Sequence, residues 1–202
     1  MNAEIICIGT ELLLGETINT NSAYISRKLA EIGLDCYYST IVGDNKSKIK
    51  TAIDLAFQRS DIIITTGGLG PTDDDLTIEA IAEYFNKSLV VDEQSLENIK
   101  EYFVKIQRYM PESNLKQALK PEGSTHINNP AGTAPGLLWE VNNKIIISFP
   151  GVPTELYSMW ESFANDYLKK ISGSILITEH LKFFDIPEAS LAEKVKMLLN
   201  KE

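Results

Sequence analysis

Asp61-Ile62-Ile63-Ile64-Thr65, followed almost at once by Gly67-Gly68-Leu69-Gly70-Pro71-Thr72-Asp73-Asp74-Asp75, decides how this chain folds. The first five residues form an unbroken apolar run of the kind found in a strand buried on both faces of a parallel sheet. The glycines and proline that follow suit neither a strand nor a helix interior. From about Leu76 to Phe85 the apolar residues then recur at helical spacing. Strand, glycine-rich loop and helix in that order make a βα unit whose loop lies at the exposed, functional end.

Working towards the N-terminus, Glu4 to Ile8 is a second apolar strand ending at Gly9, with Thr10-Glu11-Leu12-Leu13-Leu14-Gly15 after it. Ala23, Ile25, Leu29, Ala30 and Ile32 mark a helix, and Gly33 falls where a C-terminal cap belongs. Cys36 to Val42 is a strand with Gly43-Asp44-Asn45 as its exit turn, and Ile49, Ala52, Ile53, Ala56 and Phe57 mark the next amphipathic helix.

Working towards the C-terminus, the pattern predicts a short strand over Leu89 to Val91 and a long helix over Glu93 to Tyr109. A short helix over Glu112 to Leu119 and a strand over Ser124 to Asn128 come next. Leu137 to Val141 and Lys144 to Phe149 form a hairpin turning at Asn142-Asn143. After Pro150-Gly151-Val152-Pro153, a helix from Thr154 to about Leu168 turns Leu156, Met159, Trp160 and Phe163 inward.

This βαβαβα order predicts the α/β class, as a three-layer α/β/α sandwich with a mostly parallel sheet over residues 1–170. Past Gly173 the texture changes, with a strand expected from Ile175 to Phe184 and a helix from Glu188 to Leu199. One βα pair cannot bury its own apolar face. Residues 173–202 therefore read as a docked tail or the start of an incomplete second domain.

The 202 residues carry a formal charge of −9, which repels nucleic acid and anionic membrane surfaces, and no lysine cluster offsets it. The N-terminus has no basic and apolar leader, and no apolar run approaches the ~18 residues of a membrane span. A cytoplasmic location is the expectation. Cys7 and Cys36 each lie in a strand and read as reduced, buried thiols.

Ligands of an open α/β sheet bind outside the carboxyl ends of its strands. The loops there are Gly9-Thr10-Glu11, Gly43-Asp44, Gly67 to Asp75, Asn129 to Gly136 and Pro150 to Pro153. Glycine lets the backbone approach a ligand, and free N–H groups at a helix start favour an anion such as phosphate. The loop is neither a Walker motif nor a dinucleotide fingerprint.

Asp73-Asp74-Asp75 has two readings. One aspartate is expected to cap the helix near Leu76, which makes Asp75→Ala cost ~1 kcal/mol. Three are more than capping needs, and hard-cation binding is the alternative, with Glu11 and Asp44 able to join from neighbouring strand ends. His126 and His180 read as packing or surface residues, Trp139 and Trp160 as core, and no general base or Ser-His-Asp arrangement is visible.

Five separated motifs carry a family resemblance covering Met1 to about Leu168. They are Gly9 to Gly15 with Asn19-Thr20-Asn21, Val42-Gly43-Asp44-Asn45, Thr66 to Thr72 with Asp74-Asp75-Leu76-Thr77, Asn129-Pro130, and Gly132-Thr133-Ala134-Pro135-Gly136. In this order they resemble the N-terminal domain of the CinA (competence/damage-inducible) family, which is similar to the molybdopterin-binding MogA, MoaB and MoeA proteins.

The resemblance implies divalent-metal-dependent hydrolysis of the ADP-ribose pyrophosphate, with Asp44 and Asp75 catalytic and Asp44, Asp74 and Asp75 holding Mg²⁺, Mn²⁺ or Co²⁺. It implies a ligand site of Gly9, Thr10, Glu11, Asn21, Gly67, Gly68, Gly70, Thr72, Gly132, Thr133, Pro150 and Gly151, and a dimer or trimer. A molybdopterin- or nucleotide-binding module without turnover, or a molybdenum-cofactor biosynthesis enzyme, is the alternative. Val152 stands where the family usually has proline. Full-length CinA proteins continue into a deamidase domain, and that activity is not assigned to this chain.

Overall fold

The computed structural model describes residues 1–172 and 182–199. The N-terminal half runs β1 (Asn2–Ile8), α1 (Thr10–Leu13), α2 (Thr20–Glu31), β2 (Asp35–Val42), α3 (Lys46–Arg59), β3 (Ile62–Thr66) and α4 (Thr77–Tyr84). It continues through β4 (Leu89–Val91), α5 (Glu93–Lys105), a 3-10 helix (Glu112–Ala118), β5 (Leu119–Pro121) and β6 (Thr125–Ile127). The hairpin β7 (Gly136–Val141) and β8 (Lys144–Phe149) leads into α6 (Pro153–Met159), a π turn (Trp160–Ala164) and α7 (Asn165–Ser172), and α8 spans Glu188–Leu199.

Six strands form one sheet in the order β2-β1-β3-β8-β7-β6. The first four are mutually parallel, and β7 runs antiparallel to both its neighbours. Because side chains alternate across a strand, β3 sends Ile62 and Ile64 to one face and Ile63 to the other. The first pair packs with α2, α6 and the π turn through Ile25, Leu29, Leu156 and Trp160. Ile63 packs with α3 and α4 through Ile49, Ile53, Ala80 and Ile81. The result is the expected three-layer α/β/α sandwich.

The register decides where the site lies. Cys7 pairs with Thr66, and Thr66 with Phe149. The carboxyl ends of β1, β3 and β8 therefore finish level, and Gly9, Gly67 and Gly151 emerge side by side.

Several boundaries move for local reasons. Helix α5 ends at Lys105 instead of Tyr109, because Gln107 takes a left-handed φ of 55° and Arg108 N–H returns to the Phe103 carbonyl. The segment from Glu112 is a 3-10 helix ending at Ala118, and the strand expected over Ser124 to Asn128 shortens to Thr125–Ile127. The helix after Pro153 runs on to Ser172, with Phe163 only half-buried at the π turn.

At the hairpin, Asn142 and Asn143 have φ of 50° and 61°, as a two-residue type I′ turn requires. Cys7 is buried and Cys36 half-buried, both free. In the tail, Lys182 to Phe184 are not strand, residues 175–181 of the expected strand lie outside the described residues, and the helix expected at Glu188 is present. Among the described residues no helix is long and apolar enough to cross a membrane.

Candidate functional site

A cleft of about 400 Å³ opens at the level strand ends. Its floor is the glycine loop, whose shape is set by contacts behind it. Gly67 has φ of 102°, and a Cβ there would run into the Ile8 carbonyl, so only glycine fits between β1 and β3. Gly67 N–H is held by the Phe149 carbonyl at 3.0 Å. Thr77, the first residue of α4, donates from its hydroxyl to the Gly67 carbonyl at 2.7 Å and from its N–H to the Gly68 carbonyl at 3.2 Å.

With its carbonyls tied down in this way, the loop leaves its amides free. The N–H groups of Gly68, Leu69 and Gly70 find no hydrogen-bond partner among the described residues, nor do those of Gly151 and Val152 opposite. All five residues line the cleft. Grouped free amides of this kind bind anions.

The acidic run is arranged differently from the capping expectation. The residue capping α4 is Leu76, with no side-chain cap. Asp75 instead reaches back to Thr72, accepting from its N–H at 2.9 Å and lying 2.5 Å from its hydroxyl. The Thr72 hydroxyl lies 2.5 Å from Asp74 as well, and this contact holds the Asp74 carboxyl below its usual range. Asp75 thus closes the loop instead of starting the helix. A Cβ on Gly70 would strike its carboxylate.

On the β1 and β2 side, Asp44 accepts from both the N–H and the hydroxyl of Thr10 at 2.8 Å, and the same hydroxyl accepts from Asp44 N–H at 3.1 Å. This double link joins the exits of the two strands. Asn21 lies one layer deeper, donating to the Gly151 carbonyl at 2.8 Å and the Thr66 hydroxyl at 3.0 Å. It pins the Pro150-Gly151 turn from behind.

Of the expected ligand residues, Gly9, Glu11, Gly67, Gly68, Gly70, Thr133, Pro150 and Gly151 line the cleft together with Asp44, Asp74 and Asp75. Thr10, Asn21 and Thr72 support those lining residues, and Gly132 faces a neighbouring groove.

The sequence reading missed Glu155. It lies in the first turn of α6 and lines the cleft, and its carboxylate accepts from the Asn129 amide at 2.7 Å. Burial pushes its carboxyl above the usual value, with the Asn129 bond opposing. Its position just after Pro150 to Pro153 was the available signal. Gln117 also lines the cleft, brought there by the 3-10 helix.

Five carboxylates therefore face this cleft, from Glu11, Asp44, Asp74, Asp75 and Glu155, and no Lys, Arg or His among the described residues does. They are not gathered into a metal cage, since no group of three or more His, Cys, Asp or Glu converges to hold an ion among the described residues. What they do fit is a hard cation held by one or two carboxylates, water and the ligand's own phosphate oxygens, the usual Mg²⁺ arrangement.

His126 is a packing residue. Its Nδ1 lies 2.8 Å from the Ser95 hydroxyl, and Asp92 approaches the same nitrogen at 4.0 Å, which is not the geometry of a proton relay. His180 lies outside the described residues.

Fold and cleft together define an α/β domain of the molybdopterin-binding class. Residues 4–170 match the family described as "Probable molybdopterin binding domain". The chain belongs to this family, in its CinA branch. It is 52% identical over 200 residues to a competence-damage inducible protein homologue of Clostridium beijerinckii, covering 99% of this chain and 49% of the relative. A CinA-like protein of Dictyoglomus thermophilum is 50% identical, with 98% and 48% covered. The chain thus spans about half the length of the curated relatives it matches.

The crystal structure of CinA from Thermoplasma acidophilum superposes with a TM-score of 0.76 at 37% identity, over 82% of this chain and 96% of that one. The tungsten cofactor synthesizing protein MoaB of Pyrococcus furiosus has a TM-score of 0.55 at 18% identity, over 85% and 95%, a likeness of fold alone.

Proposed function

We propose that this domain is a cytoplasmic, divalent-metal-dependent pyrophosphatase acting on ADP-ribose or a similar nucleotide. The observation carrying the proposal is the pairing of free amides with five carboxylates and no cationic side chain in one cleft. The amides suit a phosphate, yet the carboxylates would repel it. Both fit one ligand when a cation accompanies the anion.

In this scheme the N–H groups of Gly68, Leu69 and Gly70 hold one phosphate, and those of Gly151 and Val152 steady the other. Asp44, Asp74 and Asp75 are the carboxylates that would hold the cation, one or two of them directly and the rest, with Glu11, through water. When bound, the cation neutralises phosphate charge and stabilises charge on the leaving oxygen. Glu155, whose raised carboxyl pKa suits proton transfer nearer neutral pH, takes the proton of the attacking water. Water adds at phosphorus, the bridging P–O bond breaks, and AMP and ribose 5-phosphate leave.

A second reading, a pterin- or nucleotide-binding module without turnover, draws on the free protein's contacts. Asp44 and Asp75 are already engaged by Thr10 and Thr72. Purified protein incubated with ADP-ribose, with and without Mg²⁺, Mn²⁺ or Co²⁺, separates the two. Metal-dependent release of AMP supports hydrolysis, and saturable binding with no AMP supports the module. Self-association into a dimer or trimer is part of the proposal and is read by light scattering.

A further inference from the structure

Strand β2 lies at one edge of the six-stranded sheet, and the opposite edge is β6, a strand of only three residues. The Val42 carbonyl accepts from Gly9 N–H, so Val42 and Thr40 turn their backbone groups towards β1. Ser39 and Ile41 point theirs outward, where they find no hydrogen-bond partner among the described residues. Edge strands are usually guarded by lysine, proline or a bulge. Strand β2 carries neither lysine nor proline. Its bulge falls at Tyr37, the extra residue where Ala3 pairs with Cys36 and Glu4 with Tyr38, which leaves Tyr38 to Val42 regular.

This edge is an uncharged strip on an acidic chain. The molecule carries a formal charge of −9, yet residues 36–43 hold no charged side chain. Tyr37 is 67% exposed and Leu13 58% exposed. Leu13 reaches the exit of β2, since its Cδ1 lies 3.3 Å from where a Cβ on Gly43 would stand. The strand's one acid is Asp35, at its start. Past its exit comes the N-terminus of α3, with Lys48 exposed and in no ion pair among the described residues.

We propose that β2 is the docking edge for a second copy of this chain, paired antiparallel about a two-fold axis at Thr40. This register uses the whole regular segment. Ser39 of one copy and Ile41 of the other exchange both N–H to carbonyl bonds, and the axis repeats the pair. Thr40 stands opposite Thr40, and Tyr38 opposite Val42, an aromatic on a β-branched residue. Tyr37 then falls opposite Gly43 of the second copy, beside its Leu13. The glycine leaves room for the ring, as where an aromatic covers an edge glycine. Asp35 approaches the positive end of α3 and Lys48 of the other copy, so the ends match in charge. An uncharged strip favours a copy of the same acidic chain over a basic partner, which the carboxylates elsewhere would draw away. The assignment names the surface of the self-association proposed above and does not depend on turnover in the cleft.

Light scattering after size exclusion is expected to give a dimer for the full chain. Ile41→Lys and Ser39→Pro, at positions whose backbone faces away from β1, are expected to give monomers with the wild-type circular dichroism spectrum. Thr40→Cys is expected to form a disulfide-linked dimer on mild oxidation, because residues opposed in such a pair lie about 4.5 Å apart between Cα atoms. Val104→Cys, exposed on α5, is the control and is expected to stay unlinked.

A monomeric or trimeric wild type overturns the pairing. So does a dimer that survives both edge substitutions and leaves Thr40→Cys unlinked, although self-association itself then stands.

Discussion

The side-chain amide of Asn129 donates to the Glu155 carboxylate at 2.7 Å and to the Ala134 carbonyl at 2.8 Å. One residue thus fastens the Asn129 to Gly136 loop to the first turn of α6. It also orients a cleft carboxylate whose pKa burial raises. The space beside it is tight, because a Cβ on Gly132 would collide with the Glu155 carboxylate.

Glu155→Gln is expected to lower the hydrolysis rate by ~10²-fold or more while leaving nucleotide affinity nearly unchanged. The charged form is the base, so wild-type activity falls as pH drops through a value above the usual glutamate range, and the variant lacks that limb. Stability moves oppositely. A carboxyl with a raised folded-state pKa binds its proton more tightly when folded, so its contribution declines as pH rises from the unfolded towards the folded value. A pH–rate profile of both proteins checks the assignment, and an unchanged acid limb in Glu155→Gln removes Glu155 from the base role.

Gly67→Ala places a side chain against the Ile8 carbonyl at a φ of 102°. The loss of stability is expected to exceed the ~1–2 kcal/mol of a left-handed residue alone, because the exits of β1 and β3 must separate. Chemical denaturation measures it. A difference below ~0.5 kcal/mol would show that the strand exits yield freely.

Asn21→Ala removes two hydrogen bonds, to Gly151 and Thr66, but also removes an Oδ1 that is buried without a partner. These effects partly cancel, leaving a destabilisation of about 1 kcal/mol and a melting temperature lower by ~2–4 °C. Binding is hit harder, since Gly151 is freed to move, and pyrophosphate affinity should fall severalfold. Unchanged affinity would show that the Pro150-Gly151 turn holds itself.

His126 is pushed down to about 4, mainly by burial. Its unfolded value is ~6.5, so the unfolded chain binds the proton first. Stability is full above pH ~6.5 and is lost as pH falls towards 4, by an amount on the order of 3 kcal/mol. His126→Gln should flatten that part of the stability–pH curve, and an equally steep curve in the variant would assign the loss to another group.

Much of this was legible in the chain because two independent signals agreed. The Ile62 to Ile64 run and the glycines after it fixed both the central strand and its functional end, and the turn chemistry of Asn142-Asn143 fixed the hairpin. What stayed hidden depends on through-space contacts. Glu4 reads as the polar start of an apolar strand, yet it is fully buried, held by Arg59 at 2.7 and 2.9 Å and by Ser60 at 3.2 Å. Asp75 bonds back to Thr72, three residues away, and not to the start of α4, where Thr77 bonds the Gly67 and Gly68 carbonyls. Glu155 escaped because its contact with Asn129 joins segments more than 20 residues apart.

The most direct test of the central claim is AMP release from ADP-ribose by wild type and Asp75→Ala, with and without added Mg²⁺, Mn²⁺ or Co²⁺. Metal-dependent release by wild type, lost in a folded Asp75→Ala protein, is the predicted result. Release that needs no added metal and survives removal of trace metal by chelation, or full metal-dependent activity in Asp75→Ala, would contradict it.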